Sequence, residues 1–309
     1  MVHSLESRDN KDMAWYSKIG AAVKERVQGG GKDDGCIHPE LVGSVPDEPR
    51  QWRGFELAEA MEQGMGPGLS SSHVEPPAQS EPKEERLVVV RNPNRTLYSL
   101  QDQSGKTMLV AKPSQDGCRF DLHVTRDGGE SPLSLGPSFT MVASNGSRDQ
   151  WALTSVRCDR CESRGKRQCG QRELMRLCHY VESVGDGQAF CMDVDLPELA
   201  EDGSRVVLCE QCGDPSSQWA MELTARRPKW NPKHKSLTLD FNGRCSMASA
   251  KNFQLQVPPD HNGQETPSSP GKVKLLFGKI GEHRFTLDYR YPLGAVQAFA
   301  TALSTSHWK

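Results

Sequence analysis

Ten cysteines are the side chains of this sequence best suited to specific chemistry, and four of them recur as Cys158-x-x-Cys161 and Cys209-x-x-Cys212. Two such pairs can supply four thiolates to one tetrahedral zinc ion, provided the fold brings the pairs together. Their separation is wider than in a compact zinc ribbon, so the pattern has two readings. One is a structural zinc site with Cys158, Cys161, Cys209 and Cys212 as ligands; the other is a cysteine-rich loop of free thiols. Arg157, Arg160, Arg164, Lys166 and Arg167 crowd the first pair and would favour the thiolate form. Cys178, Cys191 and Cys245 fall in strand-like runs and read as small core residues.

A second chemical feature is the basic run "ARRPKWNPKHK", with Arg226, Arg227, Lys229, Lys233 and Lys235 around Trp230. It suits either an anionic surface gripped through an aromatic anchor or a solvated hairpin. The hairpin is the better expectation, because exposed charges alone contribute little. No nucleophile elbow, paired-acid motif, dinucleotide loop or HExxH helix occurs. "SGKT" at 104–107 has Leu100 where a phosphate loop needs glycine, and a strand-like "MLVA" follows it. A non-enzymatic protein is expected.

The elements that must position these residues divide the chain in two. Residues 1–85 are rich in Gly, Pro, Ser and charge, a composition that buries too little apolar surface to offset ordering entropy. Two amphipathic islands interrupt this tail, one carrying Tyr16, Ile19, Val23 and Val27, the other Trp52, Phe55, Ala58, Met61 and Met65. They are candidate helices for a protein partner. Lys and Arg total 38 against 40 Asp and Glu, which gives no global field for nucleic acid or membrane. No apolar run reaches the roughly 20 residues of a membrane span, so a cytosolic or nuclear protein is expected.

From residue 86 the chain reads as short strands bounded by Gly, Asn, Asp or Pro, a spacing typical of an all-β sandwich or barrel. Only the end differs. Pro292 to Ser304 predicts a helix of about three and a half turns, with Pro292 in its first turn. Leu293, Val296, Phe299 and Leu303, with four alanines among them, leave it almost no polar face. Such a helix must be buried, and the interior of a closed barrel would hold it.

"RPKWNPKHKSLTLDFNGRCSMASAKNFQL" and "LLFGKIGEHRFTLDYRYPLGAVQAFATALS" closely resemble the C-terminal signature of the tubby-like protein family, and the resemblance extends more loosely back to residue 86. It implies a mainly β fold: a closed antiparallel β-barrel of about twelve strands with the hydrophobic C-terminal helix through its centre. It also implies a phosphoinositide-binding adaptor at the cytoplasmic membrane face, which in animals carries membrane cargo toward cilia. The family's basic groove follows the strand matching "TMLVA", and Lys112 and Arg119 are the residues that match it here. The stretch between them, "PSQDGC", lacks the consecutive cations of relatives and brings Asp116; two further basic positions of the family also have no counterpart. Arg244 and Lys251 match signature positions and read as structural. The alternative is a cytosolic or nuclear protein-interaction module, zinc-stabilised, in which lipid binding has been lost. Nucleic acid is not an expected partner in either case.

Overall fold

In the computed structural model the described residues are 84–125, 136–144, 146–156, 172–199, 219–258 and 273–308, with Pro76 and Leu133. The two N-terminal islands and the four CxxC cysteines lie outside them. Twelve strands close an antiparallel barrel: β1 (Glu85–Arg91), β2 (Tyr98–Gln101), β3 (Thr107–Pro113), β4 (Arg119–Val124), β5 (Phe139–Ala143), β6 (Gln150–Ser155), β7 (Arg172–Val184), β8 (Gly187–Pro197), β9 (Trp219–Ala225), β12 (Phe253–Gln256), β13 (Val273–Lys279) and β14 (Arg284–Tyr289). Between β9 and β12, β10 (Lys229–Asn231) and β11 (Ser236–Thr238) form a separate two-stranded ribbon. Neighbouring strands in the barrel follow chain order, and β1 pairs β14 from Glu85↔Tyr289 to Val90↔Arg284. Closure removes the exposed edges that an open sheet would leave.

Period-2 patterning sets which side chains enter the barrel. Leu87 and Val89, Phe120 and Leu122, Phe139 and Met141, Trp151 and Leu153, and Phe285 and Leu287 alternate inward and are buried. They surround α1 (Ala295–Ser304), all ten of whose residues are buried. A 3-10 turn, Thr305–His307, follows it. Val296, Phe299 and Leu303 lie on this helix, and a fully buried side chain of that kind contributes about 1.5–3 kcal/mol.

The helix is shorter than the sequence predicts. Its N-cap is Gly294, so Pro292 and Leu293 precede it, after a cis Tyr291–Pro292 bond. Leu293 is nonetheless fully buried. The Gly294 N–H donates to Gln297 Oε1, so a side chain closes the first turn instead of the proline. The hydroxyls of the helix and the turn after it are satisfied locally: Thr301, Ser304 and Thr305 donate to the carbonyls of Gln297, Thr301 and Ala302, whereas Gln297 Nε2 is buried without a partner among the described residues. Local bonding is how an almost wholly apolar cavity tolerates the hydroxyls.

The barrel has two distinguishable rims. The β1–β2, β3–β4, β5–β6, β7–β8 and β13–β14 turns and the C-terminal end of α1 share one of them, here the upper rim. β6, β7, β8 and β9 end at the lower rim on either side of the two CxxC segments. There Ser155 pairs with Arg172 and Pro197 with Trp219.

Candidate functional site

The upper rim gathers the chain's candidate anion-binding groups. Lys112, near the end of β3, is exposed and lies opposite Asp121 of β4. Arg119 opens β4; its Nε donates to Asp121 Oδ1 at 2.7 Å, while half of its side chain stays exposed. Asp116, the acid between them, belongs to the turn. Its carboxylate accepts from Ser114 Oγ at 2.5 Å and from Cys118 N at 3.0 Å, and these bonds, the hydroxyl first, hold its pKa below the ordinary value.

A third cation, which the sequence reading passed over, completes this cluster. Arg148 sits in the β5–β6 turn with φ of 59° and donates from Nη2 to the Asp116 carbonyl at 2.6 Å. Gly117 beside it has φ of 66°, so glycine is required there by the backbone of the turn and not by space: a Cβ would make ordinary contact, 3.6 Å from the guanidinium carbon. Asn145 and Gly146 could have signalled a turn, but nothing in the sequence linked that turn to the β3–β4 hairpin.

The other predicted basic cluster is placed differently. Arg226 donates to Gln254 Oε1 at 3.2 Å, and Arg227 makes an ion pair with Glu182 at 2.9 Å, which raises its pKa further. Lys229, Lys233 and Lys235 are exposed on the ribbon and its turn. Trp230 is no free anchor. Its ring lies against the backbone of the β7–β8 turn, where a Cβ on Gly185 would fall 2.4 Å from Cγ and one on Gly187 2.9 Å from Cζ3. The tryptophan therefore fastens the ribbon to the barrel.

Inside the rim, Lys251 closes the end of the helix. Its Nζ donates to the carbonyls of Thr305 at 2.9 Å, Ser306 at 3.0 Å and Trp308. These are groups a helix end leaves without intrahelical partners, and a cation there also suits the helix dipole. Burial, then Arg91, Arg95 and Lys279, bring its pKa down to about 8. A small cavity beside it is lined by Arg91, Tyr98, Phe277, Phe285 and Ser306; its water-sized space of about 20 Å³ is too small for a headgroup. Arg244 is held in an ion pair with Asp288 of β14.

The cysteines divide likewise. Cys191 is buried, and burial first, then Glu182 and Asp193, push its thiol up to about 12, so it is an inert core thiol. Cys245 departs from expectation: it lies in the loop before β12, where Sγ donates to Lys279 O at 3.4 Å and Asn252 Nδ2 donates to Sγ. Among the described residues no group of three or more His, Cys, Asp or Glu is placed to hold a metal. No helix among them is long and apolar enough to cross a membrane.

A family model, the Tub family, matches residues 134–307, more than half of the 309-residue chain. The chain belongs to the Tub family. The tubby protein homolog 1 of Caenorhabditis briggsae is 42% identical over 140 residues, which are 45% of this chain and 30% of that protein. Protein king tubby of Drosophila sechellia is 41% identical over 126 residues, 37% of this chain and 26% of the fly protein. The Drosophila virilis king tubby is 41% identical over the same length and is matched over 25% of its own. The aligned segments thus span less than a third of each of these relatives.

Proposed function

We propose that this Tub-family chain is a non-enzymatic phosphoinositide-binding adaptor, peripheral at the cytoplasmic face of a membrane, that works in membrane-protein or ciliary trafficking. Residues 86–309 form the lipid-binding domain in this reading, and residues 1–85 supply the contact with a protein partner. The observation that carries it is Arg148 on the Asp116 carbonyl, 2.6 Å away. This contact brings a third cation to the hairpin that holds Lys112 and Arg119, and offsets in part the cations the hairpin lacks. Clustered Lys and Arg recognise phosphates by charge-assisted hydrogen bonds, and each basic group near an anionic leaflet adds about 1 kcal/mol. Asp121 works against the site, since it already holds the Nε of Arg119.

Flotation of the full chain with vesicles of phosphatidylcholine and bisphosphorylated phosphatidylinositol tests the reading. Lys112→Ala with Arg119→Ala is expected to weaken recruitment about tenfold or more. Recruitment that is absent, or unchanged by the pair, would favour a protein-interaction module instead.

A further inference from the structure

β7 and β8 are longer than the barrel they belong to. β6 pairs with β7 only up to Cys178, with one further bond from His179 N to Asp149 O, and β9 pairs with β8 only from Asp193 onward. The two strands continue to pair with each other from His179↔Met192 to Val184↔Gly187. They project past the upper rim as a two-stranded lip.

The two faces of this lip differ. The ribbon covers the outer face through Trp230 on Gly185 and Gly187 and through the Arg227–Glu182 pair. The other face continues the barrel lining, because His179 on it reaches Ser304 of α1 at 2.9 Å. Two residues further out on that face are Val181 and its register partner Phe190, 46% and 40% exposed. One face of Phe190 rests on buried Trp308, with centroids 5.3 Å apart, and the rest is open. Beyond this pair on the same face come Ser183 and Gln188, and then the exposed Gly185–Asp186 turn, so the apolar pair forms a band below a polar tip. Two directly paired apolar side chains are nonetheless not the scattered exposure common on protein surfaces.

Continuity with the cationic cluster identifies what covers this face. Trp308 leads through the His179 and His307 rings to Trp151, whose Nε1 donates to the Arg148 carbonyl. Arg148 in turn grips the β3–β4 hairpin. The apolar pair and Lys112, Arg119 and Arg148 therefore belong to one rim, with Val142, 41% exposed, between Arg119 and Ala152 on the outer surface. Two of the rim's acids are neutralised, Asp121 by Arg119 and Glu182 by Arg227, while Asp186 in the lip's turn and Glu282 in the β13–β14 turn stay exposed and belong at headgroup level. An exposed apolar pair beside clustered cations matches the interface of an anionic bilayer, where acyl chains lie just beneath charged headgroups.

We infer that the inner face of the β7–β8 lip is a membrane-insertion element that meets an anionic leaflet side-on, with Val181 and Phe190 entering the acyl boundary while the polar turn and the rim cations stay among the headgroups. The inference rests on the proposed phosphoinositide reading for its headgroup half only. Two measurements on the full chain separate the halves: titration with soluble inositol trisphosphate, and flotation with vesicles of phosphatidylcholine, phosphatidylserine and bisphosphorylated phosphatidylinositol. Val181→Ser is expected to keep the wild-type melting temperature and inositol trisphosphate affinity and to weaken vesicle binding about fivefold. Val181→Leu is expected to bind vesicles at least as well as wild type. Vesicle binding unchanged in Val181→Ser would overturn the insertion element and leave headgroup recognition standing. Val181-dependent vesicle binding without inositol trisphosphate binding would overturn headgroup recognition and support insertion. A wild-type chain that ignores vesicles altogether overturns both, and would assign the lip to a protein ligand.

Discussion

Arg244 and Asp288 form a two-pronged ion pair, with Nε on Oδ2 and Nη2 on Oδ1, both at 2.6 Å. Asp288 is 3% exposed on β14, and Arg244 comes from the loop after the ribbon, so the pair ties that loop to the strand on which the barrel closes. Arg244→Ala would leave a buried carboxylate without its partner. We expect a loss of about 3 kcal/mol, at the low end for a broken buried pair because the guanidinium keeps 32% exposure. Urea unfolding checks this, and Arg244→Ala with Asp288→Asn should recover part of the loss. A single variant as stable as wild type would contradict it.

Gly185→Ala is expected to loosen the ribbon. Its φ is 59°, and its new Cβ would meet Trp230 at 2.4 Å. Both effects oppose the side chain, at about 1 kcal/mol for the backbone and more for the contact. Trp230 should then shift its fluorescence to the red, and protease should cut first near residues 229–238. Gly187→Ala, with an ordinary φ and a 2.9 Å approach, should do the same more weakly.

His179 makes the domain acid-sensitive. Its Nδ1 accepts from Trp308 Nε1 at 3.3 Å, which leaves the Nε2 proton to be donated to Ser304 Oγ at 2.9 Å. Burial, then His307, push its pKa down to about 3. The unfolded chain takes up this proton near the ordinary value of about 6.5, so between the two values the unfolded state binds more protons. Stability should therefore be complete above pH 6.5 and fall as pH drops, by up to about 1.4 kcal/mol per pH unit from this group. Denaturant midpoints from pH 7 to 4 would show this. His179→Gln should flatten the slope, and a wild-type profile with no slope would contradict the assignment.

Removal of Lys251 should be felt at the far end of the helix. Lys251→Met keeps most of the stem but leaves the carbonyls of Thr305, Ser306 and Trp308 without their shared donor. A loss of about 2 kcal/mol is expected, since the Ser306 and Trp308 carbonyls lose a charged donor while Thr305 O keeps the Trp308 N–H. Hydrogen exchange should accelerate first at residues 303–308. Unchanged protection there would mean the ammonium is not the clasp.

The barrel was legible because its information is local and repeated. Alternation in "LVVVR", "RFDLHV" and "RFTLDY" names strands and their inner faces, and the apolarity of Ala295–Leu303, broken only by Gln297 and Thr301, requires a shell around it. The start of the helix was not, since Pro292 favours a first turn by its own geometry while the cap that operates is the contact between Gly294 and Gln297. The rim was legible only in part. Lys112 and Arg119 sit on patterned strands, whereas Arg148 acts across two turns, and turn-to-turn contacts leave no period in a sequence. Trp230 looked like a surface anchor for the same reason: the glycines that receive it are more than 40 residues earlier, and the composition of neither segment reveals the other.

Ring closure also sets a timetable. Glu85 meets Tyr289, so during synthesis one edge of the first barrel strand stays unpaired until the last has left the ribosome, and α1 follows later still. Such long-range pairing folds slowly and exposes a template for wrong partners meanwhile. A nascent chain of this kind needs protection over nearly the full period of its translation, and premature termination anywhere before β14 yields an open sheet rather than a smaller barrel.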